Sequence, residues 1–268
     1  MTESDVGRLY DALHAFEWRH RGPGVYPVHK KLRFDEPDMR DIYDWIAARA
    51  DLPDGGDVLD AGCGVGFGAL RLARGRSCRV TGISLSPQEV ARARKAAVAT
   101  DLADRVTFQP TSFDELPRAA YDLVVAVESL KHSSNLSKTL RSIRRSLKPR
   151  GQLVIVEDMN CTDVDVPIAR RLAADWKLTG LYTEDDYLAA LGAANCTIFD
   201  LSDRVRRTTA RWLRSRLVLV EALLHLVPKR RCTALRAYRG GLLLEALYAQ
   251  RQMAYKAIFY RHARHGVQ

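Results

Sequence analysis

The sequence lacks several features that would assign it to a specialised class of protein. Its 268 residues include only five cysteines, which lie far apart and form no Cys-x-x-Cys pair; we therefore predict reduced thiols and no metal site. The longest apolar stretch, 217–227, is interrupted by Glu221 and His225 and is too short to span a membrane. The first thirty residues show no basic-then-apolar leader. We expect a cytoplasmic globular protein.

The composition is that of a globular protein, but the charge is unevenly placed. Hydrophobic residues make up 47% and charged residues 28% of the chain, which excludes disordered and fibrous classes. The net charge is +10, yet residues 204–268 hold 15 Lys and Arg against two acidic residues. Such asymmetry indicates contact with something anionic, whether nucleic acid, a lipid surface or a phosphorylated substrate. A solvated helical face is the alternative interpretation.

Runs of Val, Ile and Leu alternate with helical patterns, which is typical of βαβ units and a mostly parallel sheet. The predicted strands are 57–61, 79–83, 106–109, 123–127, 152–157, 198–201 and 255–260. The predicted helices are 3–18, 38–50, 65–74, 87–100, 136–147 and one running from the N-cap Thr183 to Ala194, followed by a helical pattern over 205–250.

These elements divide the chain into four parts. Residues 1–54 form an N-terminal helical cap, and 55–202 form the core. A basic helical lid over 203–252 precedes the final core strand and tail, 253–268.

A glycine-rich turn after the first predicted strand is the clearest motif. Val58-Leu-Asp-Ala-Gly-Cys-Gly-Val-Gly66 runs from a strand into a turn and then a helix. Glycine lets a backbone approach a ligand closely, and the following helix offers unpaired N–H groups. The turn lacks the Gly-Lys-Ser/Thr ending of a phosphate loop, and its spacing differs from Gly-x-Gly-x-x-Gly.

At these residues the chain resembles the class I S-adenosylmethionine-dependent methyltransferases, whose first motif has the form Asp-x-Gly-x-Gly-x-Gly. The resemblance continues through the segments 80–88, 116–117, 121–132 and 147–157. Within the class it is similar to the small-molecule branch, which includes sterol, tocopherol, isoprenoid and sugar methyltransferases. The resemblance implies an α/β, Rossmann-like sheet of seven strands with the last antiparallel, N-terminal helices and a helical lid insertion before the last strand. It also implies an enzyme that uses S-adenosylmethionine.

The resemblance further implies which residues hold the cofactor. The methionine part falls to the first motif, and two departures concern the rest. Ser84 stands where many relatives have an acid for the ribose, and Ser112 where relatives often have Asp near the adenine. Either the affinity for the cofactor is lower than in those relatives, or Gln88 and the backbone of Phe113 share that work. The full predicted set is Asp60, Gly62, Cys63, Gly64, Gly66, Ser84, Leu85, Gln88, Ser112 and Phe113.

Two candidate catalytic residues follow the fourth predicted strand, beside the position that the resemblance implies for the cofactor's sulfonium. Glu128 ends this strand, and His132 follows four residues later. Both residue types act as general bases when suitably placed, so either is predicted to take the acceptor's proton. A cofactor or helix-end contact for Glu128 and a structural hydrogen bond for His132 are the alternatives.

Candidate substrate-binding residues come from two parts of the chain. Tyr26, His29, Lys30 and Arg33 form a basic segment suited to an anionic acceptor, unless it is a solvated loop. The aromatic residues Trp176, Tyr182, Tyr255 and Tyr260 are candidates for pocket walls, unless they belong to the core.

The predicted function is methyl transfer from S-adenosylmethionine to a small organic acceptor. The two basic segments favour C-methylation of an anionic isoprenoid such as a prenyl diphosphate, with Mg²⁺ carried by the diphosphate. O- or N-methylation of a natural product or lipid is the alternative. Nucleic-acid modification is disfavoured, because Glu128-Ser-Leu stands where amino-directed DNA methyltransferases carry Asn/Asp-Pro-Pro-aromatic. A non-catalytic cofactor-binding protein, peripheral membrane contact through 205–250 and a homodimer stay open.

Overall fold

One seven-stranded sheet carries the fold. The computed structural model describes residues 25–26, 29–161, 167–205, 210–226 and 232–262, except the side chains at 210 and 211. The strands are β1 (Asp57–Ala61), β2 (Arg79–Ser84), β3 (Val106–Pro110), β4 (Tyr121–Val127), β5 (Leu147–Asn160), β6 (Cys196–Asp200) and β7 (Met253–Arg261). Their order is β3-β2-β1-β4-β5-β7-β6. β1 to β5 pair in parallel, and β7 runs antiparallel to both of its neighbours. This confirms the predicted Rossmann-like α/β sheet.

Eight α-helices flank the sheet within the described ranges. They are α1 (Ile42–Arg49), α2 (Phe67–Gly75), α3 (Pro87–Ala99), α4 (Leu136–Ser146), α5 (Pro167–Trp176), α6 (Glu184–Leu191), α7 (Ala210–Leu226) and α8 (Thr233–Ala249). Local sequence explains their starts: Ser86 caps α3 with Pro87 at the first position, and Thr183 caps α6 as predicted. Among the described residues, no helix is long and apolar enough to cross a membrane.

The hydrophobic core lies on both faces of the sheet. Leu123 and Val125 of β4 pack in one buried cluster, whereas Val124 and Ala126 pack in the other. Successive strand residues point to opposite faces, so a strand covered by helices on both sides is apolar throughout. This is why β4 reads as a continuous apolar run in the sequence.

The structure corrects several predicted boundaries. α1 begins at Ile42 and not at residue 38, because Asp41 caps it. α6 ends at Leu191 and not at Ala194, since Gly192 follows with a φ of +87°. β5 extends the predicted strand 152–157 at both ends. The helix α5 was not predicted at all, and the predicted helix 3–18 lies outside the described residues.

The helical pattern over 205–250 resolves into two helices, α7 and α8, placed between β6 and β7 in the chain. α8 packs against α5, and Trp176 Nε1 donates a hydrogen bond to the Ala237 carbonyl, 2.8 Å away. The insertion before the last strand therefore stands where the sequence places it. Its action as a lid, and the four-part division of the chain, stay predictions.

Candidate active site

The glycine turn and Glu128 meet where the order of the strands reverses. β1 and β4 are neighbours, but the chain continues to opposite sides of the sheet from them, and the loops after such strands open a crevice for ligands. Ser129 Oγ donates a hydrogen bond to the Ala61 carbonyl at 2.7 Å and ties the two loops together. A Cβ on Gly62 would overlap Ser129 Cβ, so this close approach requires glycine.

The turn itself has a conformation that favours glycine. Gly62, Gly64 and Gly66 have φ values of +95°, +52° and +89°, in the left-handed region that other residues resist. A Cβ on Gly66 would come within 3.0 Å of other side chains. At Gly64, by contrast, a Cβ would meet only Glu89 Oε1, at 3.7 Å. Gly64 therefore lines open space beside the turn.

Asp60 is the last residue but one of β1, and its carboxyl group is buried beside the turn. Tyr43 Oη donates to Asp60 Oδ1 at 3.3 Å, but Oδ2 has no hydrogen-bond partner among the described residues. Burial raises the pKa of Asp60 to about 7, against the effect of the Tyr43 hydrogen bond. A buried acceptor of this kind fits a donor group of a ligand, such as the amino group of S-adenosylmethionine.

The first turn of α3 brings a carboxylate beside Ser84, which ends β2. Ser84 Oγ donates to Glu89 Oε2 at 2.5 Å, and Glu89 is buried. Gln88, the predicted partner of the cofactor, is exposed. We propose Glu89 in place of Gln88 as the acidic hydrogen-bonding partner of the cofactor's ribose, with the partly buried Leu85 beside it.

Two other predicted cofactor residues follow β3. Ser112 Oγ accepts a hydrogen bond from the Asp114 backbone at 3.4 Å and so begins a short 3₁₀ turn, Phe113–Glu115. Cys63, in the turn after β1, is buried, and burial raises the pKa of its thiol. The contacts of these residues with the cofactor stay predictions.

A group of buried charges lies at the carboxyl ends of β4 and β5. We call it the charge cluster; it consists of Lys30, Glu128, Lys131, Glu157 and Asp158. Lys131 Nζ lies 3.0 Å from Glu157 Oε1, 3.2 Å from Asp158 Oδ2 and 3.6 Å from Glu128 Oε2. Lys30 Nζ lies 2.6 Å from Asp158 Oδ2, and its backbone N–H donates to Glu128 Oε1 at 2.8 Å. Two ammonium groups thus face three carboxylates.

The lysines decide the ionisation of the charge cluster. Burial alone would raise the pKa of Glu128, but Lys30 and Lys131 outweigh it and hold that pKa below its ordinary value. Burial of Asp158 is likewise outweighed by the two ammonium groups, which lower its pKa to about 2. The pKa of Glu157 is raised, since burial exceeds the effect of Lys131. Glu128 and Asp158 are therefore charged at neutral pH.

Aromatic side chains enclose the charge cluster. Tyr255 Oη donates to Glu128 Oε1 at 2.9 Å, and Tyr248 Oη donates to Asp158 Oδ1 at 2.5 Å. Lys30 Nζ lies 5.2 Å from the centre of the Tyr255 ring, and Lys131 Nζ lies 5.5 Å from that of Trp176. These rings add cation–π attraction and exclude water.

Glu128 is the carboxylate of the cluster that faces outward. Its side chain is 12% exposed, against 1% for Glu157 and 2% for Asp158. Its φ of +51° is unusual for a residue with a side chain, and such strain persists only where the surroundings impose it. Glu128 is thus fixed at the mouth of the cluster.

His132 lies in the short 3₁₀ turn Leu130–His132 that follows β4. Burial, together with the neighbouring charge of Lys131, lowers the pKa of His132 to about 3. Its imidazole is therefore neutral throughout the physiological range. The His132 imidazole is therefore uncharged in the resting enzyme, although a neutral imidazole is able to accept a proton.

The predicted substrate residues divide into two groups. Lys30, Tyr255 and Trp176 lie in or against the charge cluster, as described above. The others lie elsewhere or have other partners: His29 Nε2 lies 2.9 Å from Asp41 Oδ2, Arg33 is exposed, Tyr182 Oη donates to the Ser133 carbonyl at 3.1 Å, Tyr26 is partly buried, and Tyr260 pairs with Leu153 near the other end of β7 from Tyr255.

Sequence reasoning missed four residues of this site besides Glu89. Glu157 and Asp158 lie in β5 just past the part of it that pairs with β4. In the sequence they follow the apolar run 153–156 as Glu128 follows the run 123–127, and that pattern alone was sufficient to group them with Glu128. Lys131 lies within the motif that holds both catalytic candidates. Tyr248 carries no such signal, because nothing in the pattern of α8 distinguishes it from a core residue.

The chain is similar in sequence to known methyltransferases. Residues 52–201 match the family described as methyltransferase domain. The 27-O-demethylrifamycin SV methyltransferase of Amycolatopsis mediterranei is 35% identical over 162 residues, 58% of each chain; the match thus spans less than two thirds of that relative. The O-methyltransferase cnsE of Penicillium expansum is 32% identical over 211 residues, 75% of each chain.

Two solved structures share the fold across nearly the whole chain. The [4+2]-cyclase SpnF superimposes with a TM-score of 0.75 and 24% identity, covering 98% of this chain and 97% of its own. Geranyl diphosphate C-methyltransferase from Streptomyces coelicolor A3(2) gives 0.73 and 16%, with 97% of each chain covered. At these identities the likeness shows the fold alone.

Proposed function

Because the chain belongs to the methyltransferase-domain family of S-adenosylmethionine-dependent enzymes, we propose that it methylates a hydroxyl group of a small, uncharged organic acceptor. When bound, S-adenosylmethionine would supply an electrophilic methyl group, its sulfur–methyl bond breaking to leave S-adenosylhomocysteine. One of the relatives named above is an O-methyltransferase by name, and the name of the other gives an O-demethyl compound as its substrate, which supports oxygen as the acceptor atom. Asp60, the glycine turn and Glu89 would hold the cofactor. The five free thiols fit the cytoplasmic location that we also propose.

The observation that carries this proposal is the position of Glu128. Its carboxylate is charged, fixed and partly open beside the crevice at the end of β4. In the proposed reaction Glu128 accepts a hydrogen bond from the acceptor's O–H and takes its proton as the new oxygen–carbon bond forms. An oxygen that is being methylated becomes strongly acidic, so a carboxylate with a lowered pKa is a sufficient base.

The charge balance of the cluster favours an uncharged acceptor. Both ammonium groups are already engaged by carboxylates, two of which are almost fully buried. An anionic acceptor would have to draw Lys30 or Lys131 away and leave Asp158 or Glu157 as a buried charge without its partner, which is costly. A hydroxyl group needs only the open face of Glu128.

The test is a panel of alcohols, phenols, amines and prenyl diphosphates incubated with the enzyme and S-adenosylmethionine. Product mass and S-adenosylhomocysteine release are followed together. Replacing Glu128 by Gln is expected to lower kcat about 10²-fold while the Kd for S-adenosylmethionine is unchanged. Asp185→Asn, an exposed carboxylate on α6, is the control. Equal turnover by wild type and Glu128→Gln contradicts the proposed role.

A second candidate function is C-methylation of an anionic isoprenoid such as a prenyl diphosphate, with Mg²⁺ carried by the diphosphate. The aromatic rings around the cluster favour it, because ring faces stabilise a carbocation. The fold neighbour from Streptomyces coelicolor was crystallised with Mg²⁺ and geranyl diphosphate. A product heavier by one methylene from a prenyl diphosphate, formed only with Mg²⁺, would establish this function instead.

A further inference from the structure

One side of α7 is apolar and exposed. Leu213 and Val220 pack inward against Leu242 of α8, whereas Trp212 is 62% and Leu226 80% exposed on the outside. Together with Val218, Leu219 and Leu223, these side chains make up five of the seven large hydrophobic residues exposed in the described part of the chain. Contiguous apolar exposure of this kind marks a surface that meets something else.

The exposed residues lie along one stripe of the helix. Trp212, Leu219, Leu223 and Leu226 follow at intervals of seven, four and three residues, which keeps them on one side of an α-helix. We call this stripe, with the neighbouring Arg216, the α7 face; Val218 and Arg214 are exposed farther round the helix.

The exposed charged side chains described in α7 have one sign. Arg214 and Arg216 are exposed, and the Arg216 guanidinium lies 6.0 Å from the centre of the Trp212 ring. Glu221 is the acidic residue of α7, and it is already ion-paired with Arg171 and, at 3.1 Å, with Arg239. The α7 face therefore presents apolar groups beside the Arg216 cation. It belongs to the strongly basic part of the sequence, 204–268.

We propose that the α7 face docks on the surface of an anionic lipid bilayer. An amphipathic helix with Trp and Leu on one side and Arg at its flank lies in the interface with its apolar side chains at the acyl boundary. Anionic headgroups attract the arginines, and the uneven charge of the whole chain orients the basic end toward the membrane. A two-fold contact with a second copy is disfavoured, because it would bring the same arginines together.

Docking would bring the membrane close to the charge cluster. α7 packs on α8, and Tyr248 of α8 donates its hydrogen bond to Asp158. α8 therefore contacts both α7 and the charge cluster. On the proposed function, which this step assumes, the acceptor would be a lipid-soluble alcohol taken from the bilayer.

Vesicle sedimentation tests the docking itself. We expect the protein to sediment with phosphatidylcholine vesicles that contain 30% phosphatidylglycerol but not with pure phosphatidylcholine, and less at high salt. Leu219→Ser combined with Leu223→Ser, and separately Arg214→Glu combined with Arg216→Glu, should each lower the partition coefficient at least tenfold. The control is Val98→Ser, which removes an apolar side chain that is 70% exposed on α3.

A spectroscopic measurement distinguishes loss of membrane binding from misfolding of the variants. Trp212 emission should shift to the blue on adding the anionic vesicles, and Trp212→Phe should abolish the shift while leaving the circular dichroism spectrum unchanged. Absence of sedimentation by the wild type overturns the proposal, as does an equal loss in Val98→Ser. A dimer that Leu219→Ser dissociates, without vesicle binding, would assign the face to a second copy. Turnover of a water-soluble acceptor without vesicles tests the methyl transfer separately.

Discussion

Lys131 holds the charge cluster together, so its replacement by Met tests the electrostatic account most directly. The Lys131 side chain is only 4% exposed, and its ammonium group lies within 3.6 Å of carboxylate oxygens from Glu128, Glu157 and Asp158. Lys131→Met keeps most of the volume and removes the charge. Three carboxylates then share Lys30 as the remaining cation of the cluster.

The expected loss is large because the carboxylates stay buried. Removing one partner of a buried ion pair costs about 3–5 kcal/mol. For a chain of this size each kcal/mol lowers Tm by roughly 2–4 °C, so Tm should fall by roughly 6–20 °C. The pKa values of the carboxylates rise in the folded variant. A carboxyl group whose pKa is higher in the folded than in the unfolded chain stabilises the fold at low pH, and this effect is lost as pH rises through the folded pKa. The loss of stability in Lys131→Met should therefore be larger at pH 8 than at pH 5.

Urea unfolding of wild type and Lys131→Met at pH 5, 6.5 and 8 measures this deficit. The control is Lys138→Met, which breaks the exposed ion pair with Asp114; exposed pairs contribute at most about 1 kcal/mol. A loss below 1 kcal/mol in Lys131→Met, or a deficit that does not change with pH, would refute the reasoning.

Three further predictions concern the cofactor side and the candidate base. The pKa of Asp60 is about 7, and a cationic ligand favours the charged carboxylate. The Kd for S-adenosylmethionine should therefore increase below pH 7, by at most about tenfold per pH unit. Calorimetry should find no such pH dependence in Asp60→Asn. Gly62→Ala should lower the free energy of unfolding by roughly 2–5 kcal/mol through backbone strain and steric overlap. Gly64→Ala should lower it by only about 1–2 kcal/mol but should weaken cofactor binding. Equal losses of stability in urea unfolding would contradict the assignment of open space to Gly64. His132→Gln should lower kcat more than cofactor affinity. Because the pKa of His132 is about 3, the pH profile of the wild type should show no inflection from this residue between pH 5 and 8. An inflection in that range that His132→Gln removes would contradict this expectation.

Features of the fold that depend on residues close together in the chain could be predicted from the sequence. The glycine turn, the Thr183 cap and the alternation of strands and helices are written in neighbouring residues, and each was predicted. The helix α5 was missed, because its buried face consists of little more than Ala169 and Leu172.

The charge cluster is not local. Lys30 reaches Asp158, 128 residues further along the chain, and Tyr248 comes from a helix whose pattern indicates only packing. Sequence reasoning placed Glu128 at the end of its strand. It had no means of finding that two lysines keep this carboxylate charged.

The strand order also has a consequence for how the protein is made. β7 lies between β5 and β6, although it is the last of the three to be synthesised. Until residues 253–261 have left the ribosome, β6 has no partner in the sheet, and β5 exposes a long edge that is open to wrong pairing. The sheet therefore closes late, by contacts distant in sequence, which slow folding. A chaperone that shields the edge of β5 during synthesis would act at the stage where the nascent chain is most exposed to aggregation.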